Sequence, residues 1–212
     1  MSRIMAVFAV IASALLASPL FAHGTGPHIA VPPTSDKEDA DNLARDPLAN
    51  RFGGKFTLTD HRGNRVTDET YRGHYLLVYF GFTSCADLCP IDMANMTAAL
   101  QMVSPATAEK IQPLFISVDP EIDTPAVLSA YVANFNPNLI GLTGSVAEVE
   151  AAARAYRVQR HKLLHPSSNG HPYIIDHGTL MFLMGPDGKF VTLFPNNSDP
   201  EKIARNLDRY VK

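Results

Sequence analysis

A strand-to-helix turn that carries both cysteines of the chain constrains the fold more than any other feature of the sequence. Tyr75–Phe80 is an apolar run of aromatic and branched side chains with the length of a buried strand. Gly81 interrupts this run, and apolar side chains recur at helical spacing over Ile91–Val103. Cys85 and Cys89, the two cysteines among 212 residues, lie between the strand and the helix. We therefore predict that the chemistry of the protein takes place at this turn.

The first 22 residues have the order of a secretory signal. Arg3 precedes the apolar stretch Ile4–Leu16, and small residues follow it up to Ala22. This stretch is shorter than the roughly 20 residues that span a membrane, so we expect a cleaved signal rather than a retained anchor. Because no cysteine follows the stretch closely, a lipoprotein anchor is not expected. The segment predicts export to the periplasm or cell envelope, with an inner-membrane anchor as the alternative.

The remaining chain divides into an arm and one domain. Residues 23–51 are rich in glycine, proline and charge and show no sustained periodicity, which predicts a flexible linker. Cleavage after Ala22 would make His23 the first residue of the mature chain, with His28 nearby. The amine and imidazole of His23 could chelate Cu(II), but a first residue without a functional role is the simpler interpretation. Residues 52–212 are expected to form one domain. The net charge of −3 without a basic stripe argues against nucleic acid as a partner.

Strands and helices alternate through this domain. The turn at residues 60–64 predicts an N-terminal β-hairpin over 52–66, and the polar stretch Arg160–Pro172 predicts a loop. The fold class expected is α/β and thioredoxin-like, with a mixed, mostly parallel central sheet flanked by helices. Further strands are expected at Ile111–Val118, Leu139–Leu142, Thr179–Met184 and Phe190–Phe194, with helices from residues 126, 146 and 200.

The spacing of the cysteines allows more than one chemistry. Two sulfurs four residues apart in a first helical turn share a face, and the helix N-terminus favours thiolates. In an exported protein the pair could be a structural disulfide, although closing so short a loop constrains the unfolded chain little. Cys85 and Cys89 could also form a redox pair, or hold one soft metal ion.

A metal ion held by two thiolates would need a further donor, and His177 is the candidate. It comes directly before the predicted strand Thr179–Met184, which in a thioredoxin-like sheet passes beside the cysteine turn. Without this position in the sequence, a single histidine would more often be a hydrogen-bonded residue beside the core than a metal ligand. Asp176 could orient the imidazole ring, or simply cap a turn.

Three separated motifs carry a resemblance to a known family. Residues 79–90 (YFGFTSCADLCP), residues 117–125 (SVDPEIDTP) and Asp176-His177 resemble the SCO/SenC family of exported, thioredoxin-fold copper proteins involved in cytochrome c oxidase assembly. The similarity extends from about Gly53 to the end of the chain. It implies that Cys85, Cys89 and His177 are ligands of copper, as Cu(I) or Cu(II).

Other candidate residues carry weaker predictions. Asp119 lies near the end of its strand, where it could support the metal site or contact a partner. The alternative is that the Asp119–Pro125 motif only caps the following helix. His161, His165 and His171 are interpreted as part of a solvated loop, with extra copper capture or a partner contact as the alternative. Met93, Met96, Met181 and Met184 occur at core spacings and are interpreted as packing residues.

These observations lead to one main hypothesis and three alternatives. The main hypothesis is a metallochaperone rather than an enzyme, which delivers copper to the dinuclear site in the copper-bearing subunit of a terminal oxidase. It could also reduce the cysteines of that site and receive copper from another periplasmic carrier. The alternatives are a thiol–disulfide oxidoreductase in which Cys85 attacks and Cys89 resolves, a peroxidase, and a copper sensor. A peroxidase is disfavoured because Thr83-Ser84-Cys85 is shorter than the usual Thr-x-x-Cys turn.

Overall fold

The protein is represented by a computed structural model that describes residues 51–164 and 173–212. Within these ranges, strands and helices alternate over residues 75–155, four strands follow between residues 160 and 194, and one 3-10 turn covers Asp68–Tyr71. The strands are β1 Thr57–Asp60, β2 Arg65–Thr67, β3 Tyr75–Gly81, β4 Ile111–Ser117, β5 Ile140–Thr143, β6 Arg160–Leu163, β7 Ile174–His177, β8 Met181–Met184 and β9 Phe190–Phe194. The helices are α1 Leu88–Met102, α2 Pro105–Ala108, α3 Pro125–Val132, α4 Val146–Ala155 and α5 Pro200–Tyr210.

The central sheet of the described ranges has the strand order β2-β1-β5-β4-β3-β8-β9. β3 pairs parallel with β4 and antiparallel with β8, and β4 pairs parallel with β5. The other pairs are antiparallel, including the β1–β2 hairpin. The mixed sheet and the N-terminal hairpin are thus confirmed, but the sheet is parallel only in its centre. Helical crossovers produce that parallel centre, while hairpins form the two outermost pairs, β1–β2 and β8–β9.

Both faces of the central sheet are packed, which explains why β3 reads as a continuous apolar run. Leu76, Val78 and Phe80 lie in the core on one face, while Leu77 and Tyr79 lie in the core on the other. A strand buried on both sides needs apolar residues at every position rather than at every second one. The four methionines predicted to pack are all buried at relative exposures of 3% or less: Met93, Met96, Met181 and Met184.

The helices begin at residues that satisfy their free backbone N–H groups. Thr124 and Asp199 cap α3 and α5 by accepting from backbone N–H groups, and a proline follows each at the first helical position. Ser145 forms a capping box with Glu148 at the start of α4. Each of these starts could be predicted from the sequence because the cap is local chemistry.

The segment Arg160–Pro172, predicted as a loop, contains a strand instead. β6 pairs antiparallel with β7 to form a two-stranded ribbon separate from the central sheet. The segment before β8 is therefore a strand in its own right, and β8 itself begins at Met181 rather than Thr179. The sequence of β6, Arg-His-Lys-Leu, shows no apolar alternation because only backbone pairing and polar contacts hold it.

Several predictions fall on residues outside the described ranges. These are the signal or anchor at residues 1–22, most of the linker at 23–51, and His23, His28, His165 and His171. In the described ranges, no helix has the length and hydropathy required to cross a membrane.

Candidate metal centre

The cysteine turn is built against the core at a point where the backbone approaches closely. β3 ends at Gly81, and a Cβ added there would lie 2.8 Å from Phe115, 2.9 Å from Tyr79 and 3.1 Å from the Cys89 sulfur. Any larger residue would displace these side chains, so glycine is required by space. Cys89 is fully buried in the first turn of α1, whereas Cys85 is partly exposed before it.

The two free cysteines differ sharply in acidity. The Cys89 thiol donates to the Cys85 sulfur, and with backbone N–H groups of residues 87–89 it lowers the pKa of Cys85 to about 6. The Cys89 N–H lies 3.5 Å from that sulfur. The same thiol hydrogen bond, together with burial, raises the pKa of Cys89. At neutral pH the pair is therefore one thiolate and one thiol, which suits attack or metal capture by Cys85.

His177 lies at the end of β7 and contacts the cysteine turn. Its Nε2 is 3.9 Å from the Cys89 sulfur, and Phe82 meets its ring edge-on with centroids 5.7 Å apart. The ring Nδ1–H donates to the Gly178 carbonyl at 3.0 Å, which leaves the Nε2 lone pair directed to the cysteine side. Burial lowers the pKa of His177, so the imidazole is neutral at neutral pH.

The donor set fits a soft metal ion. Two sulfurs and a neutral imidazole are the ligands that Cu(I) and related soft ions prefer. The 3.9 Å between Cys89 and His177 is close to the separation of a sulfur and a nitrogen sharing one ion, given metal–ligand bonds of about 2.0–2.3 Å. As they stand, the described His, Cys, Asp and Glu side chains form no group of three that could hold a metal ion. Cys89 lies next to Cys85 and next to His177, and the three side chains would have to move closer together to bind one ion.

Tyr79 and Asp92 form a buried polar pair beside Cys89 that the sequence interpretation missed. The Tyr79 hydroxyl donates to Asp92 Oδ2 at 3.0 Å and is hydrogen-bonded to Cys89. Asp92 is 3% exposed, and its Oδ1 accepts from the Asn197 N–H at 2.6 Å. A signal existed: Asp92 stands at i+3 from Cys89, on the stripe otherwise occupied by Met93 and Met96.

Asp123 holds the loop before Cys85 to the end of β4. This fully buried carboxylate accepts from the Thr83 hydroxyl at 2.6 Å and from the Thr83 N–H at 3.1 Å. It also accepts from the Ser117 hydroxyl at 2.6 Å. The Asp119–Pro125 motif therefore fixes the cysteine loop from the neighbouring strand.

Asp119 connects the same region to the ribbon. It is 1% exposed and accepts from the Tyr173 hydroxyl at 2.9 Å, one residue before β7 begins. Lys162 pairs with Glu121 and lies 3.8 Å above the Tyr173 ring centroid, while Arg160 donates to the Val118 carbonyl. These polar contacts attach the ribbon, and with it His177, to the end of β4.

Asp176 and His161 lie on the outer side of the ribbon. They are directly opposite each other in the β6–β7 register, and both are exposed. Asp176 acts on His177 through its charge, which raises the pKa of the imidazole, whereas the hydrogen bond to the ring comes from the Gly178 carbonyl. The structure therefore places Cys89 in contact with both Cys85 and His177, places Asp119 at the attachment of the ribbon, and leaves His161 facing solvent.

The fold and the site define a thioredoxin-like protein in which a dithiol is joined by an imidazole from a separate ribbon. The chain belongs to the SCO1/SenC family, whose model matches residues 44–212. It is 43% identical to the human mitochondrial SCO1 homologue over 162 residues, which are 76% of this chain and 53% of that protein. The chain spans between 53% and 61% of the length of the first curated relatives that it matches.

Solved structures of the family have the same fold. Copper-bound ScoI of Arabidopsis thaliana superposes with a TM-score of 0.69 at 37% identity, covering 76% of this chain and 98% of that one. Copper-bound ScoI of Bradyrhizobium japonicum gives a TM-score of 0.67 at 41% identity, covering 75% and 99%. BsSco, a member of the Sco family of cytochrome c oxidase assembly proteins in which a disulfide switch was identified, gives 0.59 at 28% identity, covering 79% and 96%.

Proposed function

We propose that this protein carries copper as cargo on Cys85, Cys89 and His177 and delivers it to the dinuclear copper site of a terminal cytochrome c oxidase. The observation that carries the proposal is the contact between Cys89 and His177 Nε2 at 3.9 Å, with Nδ1 already committed to the Gly178 carbonyl. Copper-bound relatives of the same fold support the identity of the cargo. A relative involved in oxidase assembly supports the destination.

The acidities of the three donors suit capture of Cu(I). Cys85 is a thiolate at neutral pH and binds first, and Cys89 releases its proton when the metal replaces its hydrogen bond to Cys85. The neutral imidazole of His177 offers its Nε2 lone pair. A soft set of this kind holds Cu(I), and Cu(II) with an added ligand.

Transfer proceeds by ligand exchange that starts at His177. Cys85 and Cys89 belong to the packed strand–helix unit, whereas His177 belongs to a ribbon outside the central sheet. An incoming thiolate or imidazole from the copper-bearing subunit therefore replaces His177 before it replaces either sulfur. Delivery in the periplasm or cell envelope is part of this proposal, because residues 1–22 predict export.

A second candidate function, reduction of a partner disulfide, is favoured by the asymmetry of the two thiols. The Cys85 thiolate attacks one sulfur of the partner disulfide, and the other partner sulfur leaves as a thiolate. Cys89 then gives up its proton and displaces the partner, which departs as a dithiol while Cys85 and Cys89 form a disulfide. Two electrons move from this protein to its partner. This reaction needs no contribution from His177.

Anaerobic Cu(I) titration of the reduced protein against a competing chelator tests the copper proposal. We expect one equivalent bound by the wild type, and a loss of affinity in Cys85→Ser, Cys89→Ser and His177→Ala. His161→Ala is the matched control, because this histidine lies on the opposite face of the same ribbon and should bind copper like the wild type. If His177→Ala also matches the wild type while the cysteine variants fail, the pair is a redox dithiol and the assignment of His177 is wrong.

A further inference from the structure

Two adjoining cavities form a trough along α4 and the end of the ribbon that carries His177. The larger has a volume of about 520 Å³ and is bordered by Arg154, Arg157, Arg160 and Glu150. The smaller, about 360 Å³, is bordered by Asp176 and His177. Arg157, Gln159 and His161 line both cavities, so the two lie side by side. We call this surface the arginine trough.

The trough is lined by three arginines and by two carboxylates, those of Glu150 and Asp176, so its positive charge exceeds its negative charge by one. Glu150 is shared by two of the arginines, at 3.5 Å from Arg154 and 3.9 Å from Arg160. The Nε of Arg157 donates to the Arg51 carbonyl at 2.6 Å, and no carboxylate of residues 51–164 and 173–212 is paired with its guanidinium. Guanidinium groups arranged in this way favour carboxylate ligands, which they bind through two parallel hydrogen bonds.

Arg157 occupies a backbone position that favours glycine. It follows the C-cap Tyr156 of α4 with φ of 56°, in the left-handed conformation in which helices usually place glycine. The chain has an arginine there in spite of the backbone strain. A non-glycine residue in a sparsely populated conformation beside a candidate site is consistent with a use for its side chain.

The trough continues into an apolar surface that small anions would not use. Leu163 and Ile174 are opposite each other on the outer side of the ribbon, at 46% and 41% exposure, next to the His161–Asp176 pair. Basic and aliphatic groups along one open surface match a protein segment better than a phosphate ion.

We propose that the arginine trough docks a carboxylate-rich segment of the protein that accepts copper, so that the ligands of the acceptor approach His177. This docking role rests on the copper function proposed above. The docking proposal predicts that the copper acceptor has an acidic patch close to its metal-binding residues. Exchange then begins at His177 because the docked partner lies on that side.

The docking itself is tested on the metal-free chain with a fluorescein-labelled hexaglutamate peptide, followed by fluorescence anisotropy. We expect binding that weakens with added salt, and affinities lower on the order of threefold in Arg154→Ala and tenfold in Arg157→Gly. Because glycine suits the backbone at position 157, that variant should keep or raise the melting temperature, which separates loss of docking from loss of folding. Arg205→Ala is the matched control: Arg205 and Arg154 are both 70% exposed and each pairs with a glutamate four residues earlier.

Copper transfer provides the second arm. The copper-loaded protein is mixed with a Cys-x-x-x-Cys peptide with or without a hexaglutamate extension. The extension should accelerate transfer, and the acceleration should disappear in the Arg154→Ala/Arg157→Gly double variant, whose Cu(I) affinity stays at the wild-type value. Equal hexaglutamate affinity in wild type and double variant, or inorganic phosphate displacing the peptide at equal ionic strength, would overturn the docking proposal. Absence of Cu(I) binding in the wild type would instead overturn the copper function and the acceptor role, while the anisotropy result still reports on acidic-peptide binding.

Discussion

The two halves of the candidate metal centre are held by different forces. Cys89 lies in the first turn of α1, with its side chain in the same core as Met93 and Met96. His177 lies on a two-stranded ribbon outside the central sheet, attached through the hydroxyl of Tyr173 and the charges of residues 160 and 162. Apolar packing fixes the first half, whereas the second is fixed by one buried side chain, Ile175, and by polar contacts at a strand end. A carrier that must release its cargo gains from this difference, because one ligand can leave while two stay in place.

The largest expected effect is in the packed half. Met96 is a fully buried residue of α1, so Met96→Ala should lower the free energy of unfolding by about 2–5 kcal/mol through lost contacts and a cavity. Met102→Ala in the same helix is the control, because this side chain is 54% exposed and should change stability by less than about 0.5 kcal/mol. Urea titration followed by circular dichroism measures both. Equal destabilisation by the two variants would contradict the conclusion that apolar packing in the core fixes the cysteine half of the site.

A smaller effect is expected in the ribbon. Tyr173→Phe removes the hydroxyl that donates to the buried carboxylate of Asp119, which should cost about 1–2 kcal/mol locally. We expect faster hydrogen exchange of the β6 and β7 amides, weaker Cu(I) binding, and unchanged protection in β3.

Tyr131→Phe is the control for that variant. The Tyr131 hydroxyl is buried and has no hydrogen-bond partner in the part of the chain that the structure describes, so its removal should leave stability unchanged or raised. If Tyr173→Phe lowered protection in β3 as much as in the ribbon, the two halves would form one cooperative unit and the contrast between them would fail.

The smallest perturbation is a change of pH, which sharpens the contrast without altering the fold. Because the pKa of Cys85 is lowered to about 6 from a reference value of 9.0, its alkylation rate should rise between pH 5 and 7 and level off above. Cys89→Ala removes the thiol that stabilises the Cys85 thiolate most, so the midpoint should move upward. Tyr173→Phe should leave the midpoint unchanged, since every cause of the shift lies in the cysteine half. Iodoacetamide labelling followed by mass spectrometry measures it, and a wild-type midpoint near 9 would refute the lowered pKa.

The same contrast explains how much could be predicted from sequence. β3 and α1 were predictable because β3 is buried on both faces and α1 packs Met93 and Met96 into the core, and each kind of burial leaves an apolar pattern in the chain. β6 was not, because none of its four side chains is buried and the strand therefore shows no hydrophobic period. The position of His177 beside the turn followed from the expected order of strands rather than from its neighbours.

Inside the site, the residues that sequence reasoning missed are those whose partners come from distant segments. Tyr79 reads as one more apolar position of β3, and only the folded chain shows its hydroxyl between Asp92 and Cys89. The orientation of the His177 ring depends on the Gly178 carbonyl, a backbone group present at every residue. From the sequence, Asp176 was the candidate for orienting the His177 ring, because a sequence shows which side chains are present but not which backbone carbonyl accepts a hydrogen bond. Whether Cys85, Cys89 and His177 ligate copper stays a prediction until it is measured.

The antiparallel register of the ribbon has a consequence for how this protein tolerates insertions. Opposite residues share a face and neighbours alternate, so His177 and Arg160 are directed to the body of the protein while Asp176 and His161 are directed outward. Adding one residue within β7 before His177 would reverse this parity and turn the imidazole toward solvent with the fold otherwise intact. Two added residues would restore it. Changes of length that homologues accept inside this strand should therefore come in even numbers.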